Sequence, residues 1–107
     1  MDTEVAIRIL VIDRGFVLVG RCIPPETVGL WLTVTDCRVI RRWGTTQGLG
    51  ELINGPTANT MLDAMVAKET IPVRAVLRVL EVDQAGWEPH LSAAPAAPRR
   101  RATRATA

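Results

Sequence analysis

EVAIRILVIDRGFVLVGRC, residues 4–22, decides the fold class. Val5, Ile7, Ile9 and Val11 alternate with Glu4, Ala6 and Arg8, which is the period of a strand, and the second half of the run is apolar on both faces. Asp13 and Arg14 suit a type I turn, with Gly15 in the left-handed position that closes a three-residue hairpin loop. Phe16 to Cys22 then returns as a second strand. Residues 4–22 are therefore expected to form a β-hairpin.

Downstream, Pro24 and Pro25 break the ladder, because neither can donate a backbone hydrogen bond. VGLWLTV (28–34) and CRVIRRW (37–43) have the composition of a third and a fourth strand, with Thr35 and Asp36 at the corner between them. GLGELI (48–53) suits a short fifth strand, stopped by Asn54-Gly55 and Pro56. Residues 57–69 leave two alternatives open. One is a short helix capped by Thr57 or Asn59 and carrying Met61, Leu62 and Met65; the other is an irregular loop with a scrap of strand.

IPVRAVLRVLEV (71–82) fits two periods. A strand would place Val73, Ala75, Leu77 and Val79 inward with Arg74 and Arg78 outward; a helix would align Val73, Val76, Leu77 and Leu80. Pro72 and the valines favour the strand. From Pro89 the chain is rich in proline, alanine and arginine without periodicity, the composition of a disordered tail. The expectation is an all-β domain over residues 1–88, a five- to six-stranded barrel or sandwich, followed by a basic tail over 89–107. Small open sheets leave an edge, so a homo-oligomer is expected.

The charge is unevenly placed. Before residue 90, nine basic side chains stand against eleven acidic ones, a net of −2, while Arg99, Arg100, Arg101 and Arg104 make the tail +4. The basic isoelectric point belongs to the tail, so the body has no whole-domain field for nucleic acid. Those four arginines could hold nucleic-acid phosphates without sequence preference, although a solvated tail is the simpler expectation. Cys22 and Cys37 lack zinc-site spacing and His90 is the sole histidine, so no metal or cofactor is expected. Asp2 and Glu4 precede the first apolar run, which is unlike a signal peptide, and no run is long enough to cross a membrane. A soluble cytoplasmic protein with buried free thiols, without membrane association, is expected.

RRWGTTQGLG (41–50) carries the candidate site. Arg41, Arg42 and Trp43 run into Gly44, Thr45, Thr46, Gln47, Gly48 and Gly50, which puts guanidinium groups and an aromatic face beside mobile backbone amides. Alternation from Cys37 and Val39 carries Arg41 inward beside Trp43, with Glu51 as a possible partner, and turns Arg38 and Arg42 to solvent. Neither a Walker A loop nor a GxGxxG fingerprint is present. An anionic small molecule or nucleic acid is the ligand class this pattern would suit; a polar strand-to-strand turn is the plain alternative.

VIRRWGTTQGLGEL (39–52) followed by NGPTANTMLD (54–63) resembles the central block of a family of small uncharacterised tailed-phage and prophage proteins. The similarity extends weakly to GFVLVGR (15–21) and to the VLRVLEV segment ending at Trp87, and departs at LDAMVAKE, where a proline or glycine turn would be expected after Leu-Asp. The resemblance implies a phage or prophage accessory protein and supplies no catalytic residues. Asp36, Glu51 and Asp63 are isolated carboxylates of the sort found at turns and strand ends, and a single histidine makes acid–base or nucleophilic chemistry hard to assemble. A non-enzymatic binding protein is expected, or else an assembly module that uses the Arg-Trp stretch as an interface.

Overall fold

Three residues, 73–75, join two strands that lie at opposite edges of one sheet, and this join shapes the molecule. The structure, a computed structural model, describes residues 4–25 and 28–91. Its elements are β1 (Ala6–Ile12), β2 (Phe16–Cys22), β3 (Trp31–Arg42), β4 (Met61–Leu62), β5 (Val66–Pro72), β6 (Val76–Glu81) and one helix, α1 (Gln84–Leu91). All pairings are antiparallel, in the order β6-β1-β2-β3, with β4 and β5 on successive stretches of β3's remaining edge. In a flat sheet β5 and β6 would stand four strand spacings apart, about 19 Å. The link from Pro72 to Val76 reaches at most about 15 Å even when extended, and residues 73–75 are coiled as a 3-10 turn. The sheet has to roll. Among the described residues no ladder joins β5 to β6, so the roll stays open along that seam.

The hairpin forms as the alternation requires, with Ile12 opposite Phe16 and a three-residue loop. Gly15 takes the expected positive φ, and Arg14 takes one as well. The two faces of the sheet bury separate clusters. Leu10, Leu18, Cys22, Leu32, Val34, Cys37 and Ile71 fill the inside of the roll. Ile7, Ile9, Val17, Val19, Ile40 and Leu80 lie on the other face, covered by Leu49, Leu52, Trp87 and Leu91.

Several expectations change. The third and fourth strands are one, because Asp36 does not turn a corner. It sits at a positive φ of 50° inside β3 and adds a bulge residue between Thr35, opposite Arg21, and Arg38, opposite Val19. The bulge shifts the alternation, so Leu32 and Val34 share a face with Cys37 and Val39. Gly20 lies opposite this bend, where a Cβ would stand 2.5 Å from Val34 Cγ1 and 3.2 Å from Cys37 Cα. Arg21 braces the bulge by donating to Asp36 at 2.9 Å and to both carboxylate oxygens of Glu88 in α1.

Residues 49–54 are 3-10 turns instead of a strand, burying Leu49 and Leu52 at the three-residue spacing that such a turn repeats. Residues 57–69 take the loop alternative and contain β4 and the start of β5. Residues 71–82 are two strands interrupted at 73–75. A register shift against Val11 and Ile12 makes Leu77 a bulge residue, so it points out instead of inward.

Helix α1 runs through Pro89, where the composition suggested a tail. Asp83 caps it by accepting from the Gly86 amide at 3.0 Å. Trp87 is fully buried and donates its indole N–H to the Leu52 carbonyl at 2.8 Å. Gln84 extends the sheet with its side chain, pairing with both backbone groups of Ile7. At the helix C-terminus, Arg38 donates to the His90 carbonyl at 3.1 Å and to the Asp63 carbonyl at 2.7 Å, a cation placed where the helix dipole favours one. Arg38 is therefore half-buried and structural, not solvated.

Among the described residues Arg8 is the buried charge, nearly inaccessible on the inner face of β1. It donates to Glu81 at 3.0 Å and to the carbonyls of Glu4 and Cys22, which supplies the compensation a buried guanidinium requires.

Candidate functional site

The chain leaves β3 after Arg42 and returns to it at Met61, which pairs with Arg42. Leu49 and Leu52 anchor the intervening excursion on the outer core. Its two ends are clamped together. Thr57 Oγ1 donates to the Gly44 carbonyl at 2.7 Å, and Thr60 Oγ1 donates to the Trp43 carbonyl at 2.6 Å. The Thr60 hydroxyl also accepts from the Thr57 amide. Gly44 is required at this contact, since its φ is +67° and a Cβ would stand 2.3–2.5 Å from the backbone of Asn59 and Thr60.

The clamp frames an open depression of about 600 Å³, lined by Arg42, Gly44, Thr45 and Thr46 on one side and by residues 58–61 on the other. Of the site residues expected from the sequence, these four come together. The Arg42 side chain is exposed and makes no hydrogen bond or ion pair among the described residues, and none of the described carboxylates lines the depression. The Thr46 amide is already committed, donating to Glu51 Oε1 at 3.0 Å. The carboxylate of the same loop thus takes an amide that an external anion could have used.

The remaining residues separate from this group. Arg41 is not inward. It is exposed and donates to Asp63 Oδ1 at 2.7 Å, beside a different hollow near Phe16 and Val39. The pairing with Asp63 raises its pKa above the ordinary arginine value, first through the hydrogen bond and then through the charge. Alternation does hold through Val39, but beyond it this face of β3 has reached the rim of the roll. Trp43, 40% exposed, lies outside the depression, and so do Gln47, Gly48 and Gly50. Sequence reasoning missed the opposite wall, Asn59, Thr60 and Met61. Its signal was the Thr-x-x-Thr spacing in PTANT, which places two hydroxyls within one turn. Arg99, Arg100, Arg101 and Arg104 lie outside the described residues.

Both cysteines are free and buried in the inner core. Burial, followed by the nearby Glu69 carboxylate, pushes the Cys37 thiol up to about 12, and burial also raises Cys22. Neither is a thiolate at neutral pH, so neither is an activated nucleophile. Among the described residues no group of three or more His, Cys, Asp or Glu side chains could hold a metal ion. No helix among them is long and apolar enough to cross a membrane.

Comparison of the chain with known protein families, curated proteins and solved structures found no match.

Proposed function

We propose that this is a non-enzymatic accessory protein of the phage and prophage kind, acting in the cytoplasm, that holds an anionic ligand in the Arg42 depression. One observation carries this proposal: an uncommitted guanidinium stands on the wall of a clamped, carboxylate-free hollow beside Thr45 and Thr46. A guanidinium left unpaired in such a setting suits a phosphate or carboxylate, which it can grip with two parallel hydrogen bonds. Trp43 lies outside the hollow, so binding rests on the charged group of a nucleotide, a nucleotide-derived signal or a nucleic-acid backbone, and base stacking contributes nothing. Calorimetric titration with a nucleotide panel and short single-stranded DNA at low ionic strength tests this. Arg42→Ala should weaken binding at least tenfold, whereas Arg41→Ala, which removes a group already held by Asp63, should change it little. Absence of binding to every member of the panel would overturn the proposal.

A further inference from the structure

A second surface lies away from the Arg42 depression, at the end of the roll where β3 begins and β5 ends. Leu30 is 80% exposed and Trp31 is 61% exposed, followed by Val5 and Leu77 at similar levels. Together these four side chains present on the order of 500 Å² to solvent, at the upper end of a monomer's largest apolar patch and more than half of the ~800 Å² that one side of a stable interface buries.

The patch is concave and continuous. A hollow of about 420 Å³ lies between Leu30, Trp31, Pro72 and Val73. Trp31 also borders a second hollow of about 330 Å³, with Val5, Ile23 and Val28. Val73 continues into a third, of about 220 Å³, with Val76 and Leu77. Trp31 is thus a ridge between two sockets, a shape that accepts protruding side chains.

Among the described lining residues the charged groups are Arg21, Arg74 and Arg78. Arg21 is paired with Asp36 and Glu88. The side chains of Arg74 and Arg78 are exposed and make no hydrogen bond or ion pair among the described residues. Two copies packed face to face would bury these unpaired arginines of both copies at an apolar interface with no carboxylate among the described lining residues, so this surface does not favour a second copy. We infer that this groove docks a protein segment of opposite character, with apolar anchors for the sockets beside Trp31 and carboxylates for Arg74 and Arg78.

The test is selection of a random 12-residue peptide display library on the full chain, with counter-selection on Leu30→Ser/Trp31→Ser. The expected result is enrichment of peptides carrying Leu, Ile, Phe or Trp beside two or more Asp or Glu residues. A synthetic representative should bind at least tenfold more weakly to Leu30→Ser/Trp31→Ser and to Arg74→Glu/Arg78→Glu. The second variant should regain affinity when the peptide's acidic residues are replaced by lysine. All four positions are exposed, so circular dichroism should show both variants folded, and the charge variant stands as an independent arm. Failure to enrich, peptides without acidic residues, or peptides that bind the variants equally well would overturn the inference. So would saturable binding to phosphatidylserine vesicles that the peptide does not compete, or a dimer in sedimentation that is lost in Leu30→Ser/Trp31→Ser.

Discussion

Gly44→Ala is the most informative single substitution, because it joins the backbone geometry of the depression to the stability of the whole chain. The left-handed conformation at Gly44 costs an alanine about 1–2 kcal/mol. The new Cβ would also lie 2.3 Å from the Asn59 carbonyl carbon and 2.4 Å from its oxygen. These are backbone atoms, so the 57–60 segment has to move, and the bonds from Thr57 to Gly44 and from Thr60 to Trp43 are lost with it. Two such bonds are worth about 1 kcal/mol each. A total of about 3–4 kcal/mol lowers the melting temperature of a domain this size by at least about 12 °C. The assay is thermal unfolding followed by circular dichroism. Gly50→Ala serves as the control, since its Cβ would meet nothing within 4 Å, and it should shift the midpoint by no more than about 3 °C. If the clash opens the clamp, Thr60→Ala should cost about 1 kcal/mol in the native chain and almost nothing once alanine is at position 44. A Gly44→Ala protein that melts beside the control, or a Thr60→Ala penalty equal in both backgrounds, would refute the reasoning.

Trp87→Ala should destabilise by about 3–5 kcal/mol in denaturant unfolding, because it empties the centre of the outer core. Trp87→Phe should cost less, since the Leu52 carbonyl loses the indole donor but keeps the Gly55 amide. Arg42→Ala should leave the melting temperature within about 2 °C of wild type, since its side chain holds nothing in the described chain. Alkaline pH should destabilise the fold. With its folded value pushed up to about 12, Cys37 keeps its proton after the unfolded thiol, ionising near 8.5, has lost it. Stability is therefore full below about pH 8.5 and falls by up to about 1.4 kcal/mol per pH unit above it. Cys22 is raised by burial and acts in the same direction. Urea unfolding at pH 8 and pH 10.5 should differ by at least about 2 kcal/mol, and Cys37→Ala should flatten that dependence.

The β1–β2 hairpin was legible because its strands alternate cleanly and its loop residues have few other uses. The bulge at Asp36 was not, since a Thr-Asp pair between two apolar runs has the same composition whether it turns a corner or adds one left-handed residue to a continuous strand. Leu49 and Leu52 did carry a signal, their three-residue spacing, but the glycines around them suited a short strand as well. Helix α1 was hidden by Gly86 and Pro89, both poor helix formers. What holds it is tertiary: Trp87 in the core, and Gly86 packed so closely on the 49–54 turn that a Cβ would lie 2.3 Å from the Asn54 carbonyl. At the candidate site, Arg42 and the glycine-threonine run could be found locally. Their opposite wall left only the Thr-x-x-Thr spacing as a local signal, and Thr57 and Thr60 show their role once the excursion folds back on β3.

The rolled sheet also has a consequence for how the protein is made. Arg8 meets Glu81 across 73 residues of chain, so the outer edge of β1 stays bare until β6 has been synthesised. While the chain is still on the ribosome, its most apolar strand exposes a row of unpaired amides and carbonyls that any neighbouring nascent strand could join. Substitutions that weaken β6 should therefore show up first as insoluble product during expression, before any loss of melting temperature in the molecules that do mature.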